Sequence, residues 1–122
     1  MNPRLLTGAD LAFVGDAYYE LYIRTYIINQ GITNLEKLHK KSVSYVSRDA
    51  QSYIIEHLMP VLSDEEIDIF KRGRNYNYKT KTKAYINASG FEALIGYLYL
   101  TDELNRLEEI LKMAIVIIED KE

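Results

Sequence analysis

The chain has 122 residues, a formal net charge of −3, 48% hydrophobic residues and no cysteine. The length predicts one domain with room for a core, and the composition is that of a globular chain rather than a disordered one. The missing thiols exclude a disulfide framework and a thiolate metal site; no apolar run approaches the ~18 residues of a membrane helix, and no signal-peptide core follows Met1-Asn2-Pro3-Arg4, so a cytoplasmic location is expected.

In chain order, the apolar spacing predicts helices almost throughout and no strand. The first runs from about Gly8 to Asn29, capped by Thr7 or Asp10 and ended at Asn29-Gln30-Gly31, with Gly31 suited to a left-handed position. Leu11, Val14, Tyr18 and Leu21 mark its expected apolar stripe. Thr33 or Asn34 caps a second helix to about Val46. Ser47 opens a third, which ends near Pro60. Ser63 and Glu66 form a capping box for a fourth, reaching about Arg74. Residues 75–88 are polar and basic and read as a long loop; loops of that length inside a domain are usually functional or disordered. A fifth helix carries Phe91, Leu94, Ile95 and Leu98 on one side, with Glu92, Gly96 and Tyr99 on another. A sixth starts at about Asp102. The fold class is all-α, with about six helices.

The first and fifth helices each hold an acid beside a glycine, Gly15-Asp16 and Glu92 four residues before Gly96. A glycine inside a helix costs about 0.8–1 kcal/mol relative to alanine, so it wants a compensating contact. Close packing of the two helices through these glycines supplies one, and it brings Asp16 and Glu92 to a common site. Two carboxylates suit a hard divalent cation that keeps several of its waters.

Charge is unevenly placed. Lys71, Arg72, Arg74, Lys79, Lys81 and Lys83 lie in a stretch without an acid, while acids outnumber bases from Asp102 onward. A basic stretch of this kind neutralises polyanion phosphates and makes affinity salt-dependent. Tyr76, Tyr78 and Tyr85 interleave with it, and Asn75 adds a hydrogen-bonding side chain. A second basic group is Lys37, His39, Lys40 and Lys41, with Arg48 beyond. His39 beside lysines suits a polyanion contact or a helix-end charge better than a general base. His57, among Ile54 and Leu58, reads as structural, and Glu20 as a helix-surface acid.

Phe13-Val14-Gly15-Asp16-Ala17 resembles the signature helix of ribonuclease III catalytic domains, and Phe91-Glu92-Ala93-Leu94-Ile95-Gly96-Tyr97-Leu98-Tyr99-Leu100 resembles their second acidic helix. Leu38-His39-Lys40-Lys41-Ser42, Tyr45-Val46-Ser47 with Ala50-Gln51, and Lys71-Arg72-Gly73-Arg74-Asn75 resemble the Mini-ribonuclease III branch, which lacks an appended double-stranded RNA-binding domain; the length of the chain agrees. The resemblance implies a homodimeric endonuclease that cleaves double-stranded RNA with Mg²⁺, or Mn²⁺ in its place, leaving 5′-phosphate and 3′-hydroxyl ends. It implies a large-subunit (23S) ribosomal RNA precursor as substrate. Asp16 and Glu92 are then catalytic and metal-binding, and His39, Lys40, Lys41, Lys71, Arg72, Arg74, Asn75, Lys79, Lys81 and Lys83 bind RNA. The chain departs from the larger enzymes at Ala12 and Ser89, where these place further carboxylates. It departs from the branch in a shorter 76–84 segment and in Ile86, where arginine is expected after Tyr85. The alternative reading is a ribonuclease III-like RNA-binding or ribosome-associated protein without catalysis. A helical interaction module with no RNA role is a third, which the clustered bases oppose.

Overall fold

The computed structural model describes residues 1–76 and 81–121. Among them are six α-helices, two short 3₁₀ turns at Pro3–Leu5 and Met59–Val61, and no strand. The helices are α1 (Gly8–Asn29), α2 (Leu35–Val46), α3 (Arg48–Leu58), α4 (Asp64–Arg74), α5 (Lys83–Leu100) and α6 (Leu104–Glu119). Among the described residues, no helix is long and apolar enough to cross a membrane.

The helix starts follow from side chains that bind orphan backbone N–H groups. Thr7 accepts from the Asp10 N–H while Asp10 accepts from the Thr7 N–H, a reciprocal box. Ser63 and Glu66 repeat it at α4. Asn34 caps α2 and Ser47 caps α3. Gly31, at φ +90°, turns the chain after α1.

α5 is the central helix. α1, α3, α4 and α6 all pack on it, and Asn87 through Phe91 and Ala93 through Leu98 are buried. A helix enclosed on so many sides buries more than one face: Gly96 and Tyr97 are covered as well as the expected side of Phe91, Leu94, Ile95 and Leu98. One of its neighbours, α1, contributes an aromatic anchor. Tyr19 of α1 meets Phe91 edge-on at 5.2 Å and donates its hydroxyl to the Tyr45 carbonyl of α2 at 2.8 Å. Tyr26 and Tyr45 both donate to Glu119, tying α6 to α1 and α2; these bonds, with Lys41, hold the Glu119 carboxyl below its ordinary range. Arg106 of α6 binds both oxygens of the buried Glu66, at 2.8 and 2.9 Å, and the Val61 carbonyl.

Three expectations need correction. Lys83 to Ala88 are the first turns of α5, not loop. Thr82 caps them, and buried Asn87 donates to Ser52 of α3 at 3.1 Å, so a polar sequence there is packed rather than solvated. The buried face of α1 is Leu11, Ala12, Gly15, Tyr19, Ile23 and Ile27; Leu21 is 64% exposed and Val14 and Tyr18 only half-buried. α1 is apolar on more than one side, so spacing alone selected the wrong stripe. α6 begins at Leu104 because Asp102 takes a left-handed φ of 59° and breaks the helical path.

Candidate active site

α1 and α5 touch backbone to backbone. A Cβ built on Gly15 would stand 1.7 Å from the Glu92 carbonyl oxygen, and one on Gly96 would stand 2.0 Å from that of Leu11. Each glycine therefore admits the partner helix where any side chain would block it. Asp16 follows Gly15 directly, and Glu92 sits one turn before Gly96. Their side chains leave the contact on the same side and come within hydrogen-bonding reach of each other.

The two acids line a cleft of about 280 Å³ with Val46, Arg48, Gln51, Tyr85, Ala88 and Ser89. Asp16 is exposed and Glu92 half-buried. Burial, and then the Asp16 charge, push the Glu92 carboxyl up to about 8, against opposing effects of Gln51 and Arg48. Gln51, buried on α3, donates from Nε2 to Glu92 Oε2 at 3.2 Å and to the Val46 carbonyl at 2.9 Å, which fixes the carboxylate's direction. Its Oε1 is buried without a partner. The Arg48 guanidinium lies 4.3 Å from the centre of the Tyr85 ring, and Lys81 Nζ lies 4.9 Å from it.

Of the residues singled out in the sequence, the structure brings Asp16 and Glu92 together in this cleft, with Lys81 reaching the ring of one lining residue. The remaining bases are spread. Lys40 and Lys71 are exposed. Arg72 donates to the carbonyls of Arg4 and Leu6, and Lys83 pairs with Glu56 at 3.0 Å. Arg74 bonds to Asn75 and covers the Phe70 ring, with Asn75 itself the C-cap of α4. Lys41 lies over the Tyr45 ring, and His39 borders a separate, apolar groove with Ile27, Leu35 and Leu38. Lys79 and Tyr78 lie outside the described residues. Glu20 pairs with Arg24 on the α1 surface, and His57 stacks on Tyr53 at 4.2 Å.

Gln51, Arg48 and Tyr85 complete the cleft and were not assigned to it from sequence. No spacing rule reaches them, because they arrive from α3 and from the first turn of α5. Among the described residues no three His, Cys, Asp or Glu side chains cluster as a ready-made metal cage.

The Ribonuclease III domain family matches residues 9–103. The Mini-ribonuclease 3 of Clostridium tetani is 48% identical over 126 aligned positions, covering 98% of this chain and 80% of its own. That of Streptococcus pneumoniae is 43% identical, covering 94% and 95% respectively. The crystal structure of a Fusobacterium nucleatum protein shares the fold at a TM-score of 0.82 and 32% identity, covering 92% of this chain and 93% of its own.

Proposed function

The chain belongs to the ribonuclease III family, as an endoribonuclease of the Mini-ribonuclease 3 type, and from that premise we propose that Asp16 and Glu92 hold a divalent cation with which the protein cuts double-stranded RNA. The observation that carries this reading is the pairing of the two carboxylates in a polar cleft by glycine contact. Two acids in hydrogen-bonding reach, one of them forced toward its neutral form by burial and by the other's charge, are a poor arrangement for an empty site. A cation between them removes the conflict. The donors are hard oxygens, which fits Mg²⁺, with Mn²⁺ able to replace it; two carboxylates suffice where waters and substrate phosphate complete the shell. When bound, the cation lowers the cost of activating a water and of accumulating charge on the phosphoryl oxygens.

The residues' own tasks divide simply. Glu92 is the oriented ligand, held by Gln51 from α3. Asp16 is the accessible one, at the open side of the cleft. Duplex RNA is read mainly by shape and through its phosphates and 2′-hydroxyls, so the surface around the cleft needs positive charge more than base-reading groups. Lys81, over the ring of the cleft-lining Tyr85, suits that, while the exposed Lys40 and Lys71 offer charge elsewhere on the surface. Arg72, Arg74 and Lys83 would first exchange a protein partner for phosphate. The natural substrate in this reading is the precursor of 23S ribosomal RNA, processed in the cytoplasm, a reading supported by the blocks of residues shared with the Mini-ribonuclease III branch.

The test is incubation with a long, fully paired RNA. Mg²⁺ is expected to give products with 5′-phosphate ends, and excess chelator to give none. Cleavage that persists undiminished in chelator would end the metal reading. Binding without cleavage would favour the catalytically silent relative.

A twofold dimer belongs to the same reading, since one cleft serves one strand and a duplex has two. Phe13, 82% exposed, and Leu21, 64% exposed, support a self-complementary face on α1. Sedimentation equilibrium is expected to report twice the 14.2 kDa chain mass, and Phe13→Asp to halve it. A wild-type monomer at micromolar concentration would refute the dimer.

A further inference from the structure

Arg48 opens α3 and lines the cleft, yet it makes no ion pair and no hydrogen bond among the described residues; its contact is the Tyr85 ring at 4.3 Å. A guanidinium presents five N–H donors in one plane, in a fork that matches two oxygens of a phosphate. Stacking on a ring leaves that edge available and holds the long side chain in one direction, which reduces the ordering cost of binding. Arg48 lines the same cleft as the two carboxylates, and its charge is felt at Glu92.

Such a group closes the charges of the site. Two carboxylates and a divalent cation sum to zero, which leaves the phosphodiester with one negative charge unbalanced. Arg48 is the arginine that lines the cleft.

We propose that Arg48 binds the non-bridging oxygens of the RNA phosphodiester at or beside the cut, and that Tyr85 is a positioning residue acting through Arg48. This deepens the reading of Asp16 and Glu92 as the cutting site and rests on it.

The test compares wild type, Arg48→Ala, Arg48→Lys, Tyr85→Leu, Tyr85→Phe, the Ala/Leu double variant and Asp16→Asn on one short paired RNA. Cleavage is timed in Mg²⁺, and binding is titrated in chelator over a range of salt concentrations. Arg48→Ala is expected to lower kcat/KM about 10- to 100-fold, the scale of a lost charge-assisted hydrogen-bond pair. Its metal-free binding should lose about one unit of salt slope, the signature of one phosphate contact. Arg48→Lys should restore the salt slope and only part of the rate, because a point charge lacks the fork. Tyr85→Leu should cost a few-fold, Tyr85→Phe should recover most of that, and Tyr85→Leu should cost nothing more once Arg48 is alanine.

Wild-type kcat/KM and salt slope in Arg48→Ala, with Asp16→Asn inactive, would overturn this inference and leave the site intact. An equal Tyr85→Leu loss with and without Arg48 would overturn the positioning role. Full activity in Asp16→Asn would overturn the underlying reading instead. Urea unfolding of each variant separates these outcomes from loss of fold, and Arg48→Lys keeps the phosphate contact testable should Arg48→Ala unfold.

Discussion

Asp16→Asn and Glu92→Gln are each expected to reduce cleavage of paired RNA by about three orders of magnitude or more, the scale of several kcal/mol of charge stabilisation supplied through a metal. Neither substitution should unfold the protein. Asp16 is exposed at the cleft, and asparagine is its isostere. Glu92→Gln keeps the shape that Gln51 contacts and removes a charge that burial opposes. RNA binding in chelator should survive in both, and cleavage by either variant at the wild-type rate would remove that residue from the site.

The same carboxylate has a signature without RNA. Glu92 stands at about 8 in the folded protein, against 4.5 for the ordinary group. Between those values the metal-free native state keeps a proton that the unfolded chain has released. By linkage its stability falls as pH rises through that window. Glu92→Gln should remove this slope. A divalent cation that takes the proton's place should bind more tightly as pH rises toward 8, releasing a proton as it does. Urea midpoints in chelator at pH 5 and 8, for wild type and Glu92→Gln, measure this. Equal slopes in the two proteins would contradict the assignment.

Gly15→Ala is expected to destabilise the fold by more than ~3 kcal/mol, beyond the ordinary range for overpacking, because the new methyl meets backbone. Its nearest neighbours are the Glu92 carbonyl and the Gly96 nitrogen, and neither can rotate away. Relief requires α1 and α5 to part along the contact. The roughly 1 kcal/mol that alanine gains in helix propensity does not offset this. Gly96→Ala should act alike through the Leu11 carbonyl. Because the same contact sets the distance between Asp16 and Glu92, molecules that stay folded should also lose activity. A displacement of about 1 Å costs on the order of 10²-fold in rate. Urea unfolding reads the first effect and cleavage per folded molecule the second. A Gly15→Ala midpoint equal to wild type would mean that the helices do not meet here.

These predictions depend on different ranges of information. Five of the six helix starts lie where local chemistry puts them, because a cap is made within three or four residues: Thr7 with Asp10, Asn34 with Lys37, Ser47 with Ala50, Ser63 with Glu66, Thr82 with Tyr85. Four of these, with Gly31, were legible in the sequence. The start of α5 was not, since its polarity is satisfied by Ser52, thirty-five residues away. The side of α1 that faces the core was also hidden. A helix with apolar residues on several faces can be docked by more than one of them, and only the neighbouring helices choose.

The site divides in the same way. Acids beside helical glycines announce a close approach, because glycine in a helix is a cost that only a neighbour repays, and the meeting of Asp16 and Glu92 in one cleft was readable on that ground. A basic side chain announces its charge and nothing about its partner. Arg72 is bound to backbone carbonyls, Lys83 to Glu56, and Arg48 to an aromatic ring at the edge of the cleft. The sequence by itself determined an all-helical chain and the meeting of Asp16 and Glu92 in one cleft, through short-range caps and the steric demand of glycine. Tertiary structure alone decided which cations face that centre and how Gln51 orients Glu92, because those contacts join residues that no local rule connects.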